Sequence, residues 1–136
     1  MGISFMNKII ATITTLEYRD NVSLVGFGVG EEYLEMVSLG VSDALKVGSE
    51  VVLGVKATNL ILSRERLKGV SIANQVSVTV IKVDVGALLC RVLLDFEGAT
   101  WESVYSITSV AQMPLAVGDR LFALMRSSDL SIVEVL

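Results

Sequence analysis

"NKIIATITTLEYRDNVSLV" (residues 7–25) lies without a gap over "NQVSVTVIKVDVGALLCRV" (residues 74–92), and this overlay decides how the chain divides. Asn7 falls on Asn74, Thr12 on Thr79, Leu16 on Val83, Glu17 on Asp84 and Val25 on Val92, at a constant offset of 67 residues. A second block follows in the same order, "LKVGSEVVLGVKATNLIL" (45–62) over "LAVGDRLFALMRSSDLSI" (115–132), now at an offset of 70. Two gapless blocks in one order mark an internal duplication. The three-residue difference falls between Val25 and Leu45, where a loop is expected to vary. The expected organisation is a first repeat at 1–63, a charged connector at 64–70 and a second repeat at 71–136.

Each repeat reads as a small all-β unit. "KIIATITTL" and "QVSVTVIKV" alternate small or polar residues with apolar ones, the period-2 pattern of half-buried strands. Turns are expected at Arg19-Asp20-Asn21 and Val85-Gly86, with second strands through Leu24–Phe27 and Leu88–Asp95. Third strands fit Tyr33–Ser38 and Trp101–Ile107. Ser42 or Ser109 then caps a short helical turn that Gly48 or Gly118 stops. Fourth strands, "EVVLGVK" and "RLFALMR", lead directly to fifth strands, "LILS" and "LSIVEV". The fold class expected is two tandem OB-like five-stranded small barrels, each with one short helical turn. "SRERLKGVS" (63–71) is the most charged stretch, and its basic residues read as solvated.

Composition narrows the functions. Of 136 residues 52% are hydrophobic and 19% charged, which disfavours disorder, and Val, Leu and Ile far outweigh the 6% of aromatics, which favours strands. Charged residues interrupt every apolar run before it reaches membrane-spanning length. The opening "MGISFMNKII" lacks the basic flank and long apolar core of a secretory signal and is a poor myristoylation match, so a cytoplasmic protein is expected. A net charge of −4 without a basic stripe argues against nucleic-acid binding by this chain alone. The single cysteine, Cys90, lies in an apolar strand-like run and reads as a buried, inert thiol. Histidine is absent, which removes the commonest general base and the commonest transition-metal ligand. Catalysis would have to use scattered carboxylates such as Glu17, Glu35, Asp84 or Glu102, with no nucleophile–base pairing in sight, so an enzyme is not expected. A mean hydropathy of +0.66 exceeds what so small a chain can hide, and points to an oligomer.

With these residues in view, the repeat resembles the Mop domain, a TOBE-type module that binds molybdate or tungstate. "VGSEVVLGVKATNLILS" is close to the second half of that family's pattern, with its K-A-S/T-D signature, and "VGDRLFALMRSSDLSI" is a looser copy. The S-A-R-N start survives as "SFMN" (4–7) and "SIAN" (71–74). The resemblance covers nearly the whole chain and implies a tandem, molbindin-like arrangement. It implies a tetrahedral oxyanion as ligand and no organic cofactor or metal ion. Such a dianion asks for several converging donors, with charge-assisted bonds the strongest. Carried over residue by residue, Ser4 and Ser71 donate hydroxyls, Lys56 and Arg126 supply cations, and Thr58 and Ser128 add further hydroxyls. Peptide N–H groups around Ala57 and Ser127 complete the set, with Asn7 and Asn74 as secondary members.

Two departures bear on the site. The arginine of S-A-R-N is Met6 in one copy and Ala73 in the other, and the glycine after the start motif is Ala11 and Val78. Each candidate also has a plainer role: Ser4 and Ser71 as strand starts, Thr58 and Ser128 as turn hydroxyls, Lys56 as a solvated edge-strand charge. The leading expectation is a non-catalytic molybdate or tungstate binder for storage, buffering or sensing. Its assembly is expected to be a trimer of two-repeat chains, with a dimer as the alternative. The competing reading is a regulatory or assembly module derived from a Mop sensor, acting through a partner protein with weakened or lost anion binding.

Overall fold

The structure, a computed structural model, describes residues 6–40 and 43–136. The first half contributes β1 (Met6–Arg19), β2 (Val22–Val29), β3 (Glu32–Leu39), β4 (Glu50–Lys56) and β5 (Ile61–Ser63). The second contributes β6 (Asn74–Val85), β7 (Leu89–Phe96), β8 (Ala99–Ser106), helix α1 (Ile107–Gln112), β9 (Arg120–Met125) and β10 (Ser131–Val135). Short 3-10 turns, Ala57–Asn59 and Ser127–Asp129, separate β4 from β5 and β9 from β10. All strand pairing is antiparallel, in two five-stranded sheets, as the alternating sequence pattern requires.

The strand registers repeat at one offset through the third strand, with β1 one residue longer at each end than β6. β1 pairs with β4 through Met6–Thr12 and with β2 from Thr12 onward; its irregularity between Ile13 and Thr15 recurs between Val80 and Lys82, at the same offset of 67. Such bulges sharpen twist, letting one long strand serve two neighbours in a curled sheet. β2 and β3 match β7 and β8 at that offset, so the three extra residues of the second half lie beyond β8. They are used in the connection that forms α1.

Ser106, not Ser109, caps α1: its hydroxyl accepts the Ser109 N–H at 3.2 Å, and the helix ends at Met113, well before Gly118. Ser42 lies outside the described residues. Gly48 and Gly118 instead form the turns that enter β4 and β9. Each sits at φ +93° and donates its N–H to the bulged strand, to Ile13 or Val80 O at 2.8 Å. That conformation costs an L side chain energy that glycine avoids.

The fifth strands are exchanged. The sheet orders are β10-β4-β1-β2-β3 and β5-β9-β6-β7-β8, so each sheet takes four strands from one half and its last from the other. The core is correspondingly one cluster, running from Ile13, Phe27 and Leu53 to Leu94, Phe96 and Trp101. After β5 the chain must cross β9 to reach β6. Residues 64–70 are all exposed, in line with the solvated reading of the connector's charges, and several of them are also tied to the second half along this path. Arg66 lies over the Phe122 ring at 4.8 Å and donates to Gln75 O at 2.9 Å. Arg64 bonds Pro114 O and lies 3.7 Å from the Asp119 carboxylate. The Gln75 amide brackets the Leu67 backbone, at 2.8 and 3.0 Å.

A second tie between halves is polar and buried. Asn7 accepts the Glu102 N–H and donates to Glu102 O, both at 2.8 Å; Asn74 does the same to Glu35, at 2.8 and 2.9 Å. Glu35 and Glu102 lie on β3 and β8, the edge strands, whose outward backbone groups have no further strand to pair with. An asparagine amide supplies one donor and one acceptor in the same spacing as a peptide. Around the first pair the Trp101 indole also donates to Lys8 O at 3.1 Å.

Removing the Asn7 amide leaves the buried Glu102 N–H and C=O without partners, each worth about 1–3 kcal/mol. Asn7→Ala is therefore expected to lower unfolding free energy by about 2–4 kcal/mol in urea titrations; a loss below about 1 kcal/mol would contradict this role for the amide. The exchange has its own consequence. A fragment of residues 1–70 has β5 without β9 and β4 without β10, and is expected to sediment as a dimer in which two copies trade β5. A folded monomeric fragment would show that the exchange is dispensable.

Candidate functional site

β4 ends at Lys56, directly opposite Met6 in the register with β1. Lys56 is extended (φ −68°, ψ 141°), the chain makes the Ala57–Asn59 turn, and Leu60 is extended again (φ −80°, ψ 136°). Arg126 (φ −72°, ψ 153°) and Leu130 (φ −86°, ψ 145°) bracket the second turn in nearly the same conformation. Each turn packs on the third strand of the opposite half, Ala57–Asn59 on β8 and Ser127–Asp129 on β3. Both turns thus lie at the junction, beside the asparagine ties.

The candidate residues fall into two groups. Lys56, Ala57 and Thr58 share the first turn, next to the start of β1; Ser4 lies outside the described residues. Arg126, Ser127 and Ser128 share the second turn. Because Asn74 pairs with Met125, exposed Ser71 lies on the chain leading into β6, at the end of the sheet that carries Arg126. Lys56, Thr58, Arg126 and Ser128 are exposed, whereas Ala57 is fully buried, anchoring its turn. Asn7 and Asn74 stand just inside each group, with both ends of each amide bonded to backbone across the junction. Met6, at the position of the motif's arginine, lays its thioether against Gly54: a Cβ there would meet Met6 Sδ at 2.8 Å and Val133 at 2.6 Å.

The two turns differ in charge pairing. Lys56 makes no ion pair with any described residue. Arg126 turns back on Asp129: Nε and Nη2 reach the two carboxylate oxygens at 3.2 and 3.3 Å, and the Arg126 backbone N–H adds a bond at 3.1 Å. The residue equivalent to Asp129 in the first turn is Asn59.

On β8, against which the first turn packs, stands Glu102, which the sequence offered only as one of several scattered carboxylates. Glu102 is buried, and its carboxylate accepts from Arg91 Nε at 2.9 Å as well as from Nη2. That hydrogen bond, reinforced by the charge of Glu102, raises the Arg91 pKa further. The recurrence of Glu35 as Glu102 at the offset of Asn7 and Asn74 was the available signal. A cleft of about 470 Å³ opens beneath Thr58, lined by Leu60, Tyr105, Val110, Met113 and Leu115. Tyr105 shares a hydrogen bond with Ser103, and its pKa is pushed up mainly by burial. Cys90 is buried and its pKa is raised by burial and then by Asp84, keeping it a thiol at neutral pH, in line with the inert reading. Among the described residues no group of three His, Cys, Asp or Glu could hold a metal ion, and no helix is long and apolar enough to cross a membrane.

Two curled five-stranded sheets joined through exchanged fifth strands make an all-β, OB-like fold, and that fold is shared with a molybdate-binding protein of known structure. No family model and no curated protein sequence matches the chain. Among solved structures the chain is similar to ModG, a cytoplasmic molybdate-binding protein crystallised with molybdate bound. The identity is 26%, the TM-score 0.85, and the match covers 96% of this chain and 97% of that one.

Tyr105 gives the site region a pH signature. Its folded pKa is raised above the unfolded value of about 10. Below that pH both states keep the proton, and above it only the unfolded chain ionises readily, so stability is lost as pH rises. Thermal melts are expected to fall more steeply above pH of about 10 for the wild type than for Tyr105→Phe. Equal slopes would contradict the burial of this phenol.

Proposed function

We propose that this chain is a cytoplasmic, non-catalytic binding protein for molybdate or tungstate, acting in storage, buffering or sensing. The observation that carries the reading is the whole-length similarity to ModG with molybdate bound, at 26% identity and a TM-score of 0.85. Lys56 and Arg126 support it independently, standing at equivalent turns where the two halves meet. In this reading the repeats 1–63 and 71–136, joined by 64–70, each supply one set of donors. The first set is Ser4, Lys56, Thr58 and the peptide N–H groups around Ala57; the second is Ser71, Arg126, Ser128 and the N–H groups around Ser127. A tetrahedral dianion takes charge-assisted bonds from the cations and neutral ones from hydroxyls and peptides. An acidic chain holds an anion in this way because fixed local donors outweigh its net charge of −4.

The same reading assembles the chain as a trimer of two-repeat subunits. Apolar side chains left largely exposed, Ile10, Leu39, Val47, Leu88 and Val117 among them, give such an assembly surface to bury.

Calorimetry tests the proposal. Molybdate and tungstate are expected to bind tightly. Lys56→Ala, which removes a charge-assisted bond worth about 1.5–3 kcal/mol, is expected to weaken binding by about tenfold to a hundredfold. No heat with molybdate, tungstate or sulfate would overturn it.

A further inference from the structure

We infer that the two turns are unequal anion sites, the first being the strong one and the second being closed by its own carboxylate. This rests on the proposed function and adds to it which side chains set the affinity of each site.

Lysine and aspartate occur together in the K-A-S/T-D signature, but here they are divided between the copies. The first turn reads Lys56-Ala57-Thr58-Asn59 and the second Arg126-Ser127-Ser128-Asp129. In the first, the carboxylate has been replaced by a neutral amide, and the Lys56 ammonium has no acidic partner among the described residues. In the second, lysine has become arginine, whose planar fork fits a carboxylate through two parallel N–H bonds where an ammonium offers one point charge. The fork is used in this way, with Nε and Nη2 on the two oxygens of Asp129 at 3.2 and 3.3 Å. Asp129 is also well covered, its side chain only 10% exposed, while the arginine above it is 65% exposed.

The electrostatic difference is one full charge. The Lys56/Asn59 turn carries one uncompensated positive charge, and the Arg126/Asp129 turn carries none. An incoming dianion at the first turn meets a cation available to it. At the second turn it must displace Asp129 from the guanidinium or accept a carboxylate nearby, and like charge at such range opposes binding. Asp129 acts there as a built-in competitor for the arginine.

The test exchanges the neutral and acidic residues in the full-length protein. Molybdate binding is measured by calorimetry, with bound anions counted by native mass spectrometry. The wild type is expected to show one strong class of site, with any second class at least about tenfold weaker, the equivalent of about 1.4 kcal/mol. Asp129→Asn keeps an oxygen to accept the Arg126 N–H but removes the charge, and is expected to raise the affinity of the second class by about tenfold or more. Asn59→Asp is expected to weaken the strong class by a similar factor. Melting curves of both variants confirm that the fold is kept. Two classes of equal affinity in the wild type, or a second class unmoved by Asp129→Asn, would overturn this inference while leaving the proposed function standing. Absence of molybdate uptake by the wild type and by Asp129→Asn alike would overturn both.

Discussion

The outward backbone of Glu35 and Glu102 has to be paired, and most of the molecule follows from how that is done. Both residues lie on edge strands that face the opposite half, Glu102 buried and Glu35 half-buried, where an unpaired N–H or C=O is costly. Asn7 and Asn74 meet them with amides that stand in for one residue of a further strand. Because each amide belongs to one half and each edge to the other, the halves are locked in a single relative position. The exchanged β5 and β10 reinforce that lock, and the Ala57–Asn59 and Ser127–Asp129 turns can only sit where the lock leaves them, on the third strand of the opposite half. A site assembled there draws on both halves even though each motif is local in sequence.

The duplicated scaffold has been kept more faithfully than the chemistry at its two ends. The β1 and β6 irregularities, the turn glycines at φ +93° and the two asparagine ties recur at equivalent positions in the two halves. The side chains around the turns do not: Lys56 against Arg126, Asn59 against Asp129, and Leu24 with Glu35 where the second half has the Arg91–Glu102 pair. Backbone geometry is constrained by packing throughout the core, whereas an exposed charge can change with little effect on the fold. That is the physical ground on which two turns of one shape can differ in what they hold.

Much of the fold was legible because strand periodicity is a strong local signal and the duplication doubled it. "KIIATITTL" announces a half-buried strand wherever it ends up paired. The exchange of fifth strands was not legible, since "LILS" and "LSIVEV" carry no local mark of which half's fourth strand they join. The cap at Ser106 escaped for a similar reason: two serines three residues apart both suit a helix start, and only the extended backbone of Ser106 (φ −67°, ψ 152°) selects it. Arg64 and Arg66 are exposed as read, but their contacts with Pro114 and the Phe122 ring were not legible because those partners are distant in sequence. For the site, the repeat brought Lys56 and Arg126 into view together, but the engagement of Arg126 by Asp129 depends on a side-chain fold-back that sequence spacing alone leaves open.

Diffraction at the molybdenum edge from crystals grown with molybdate tests the central claim most directly, because it locates the anion without reference to any motif. An anomalous peak is expected within hydrogen-bonding distance of the Lys56–Thr58 turn, at the junction with β8, and a weaker peak or none beside Arg126. A protein that takes up molybdate elsewhere, with no peak at the Lys56–Thr58 turn, would contradict it.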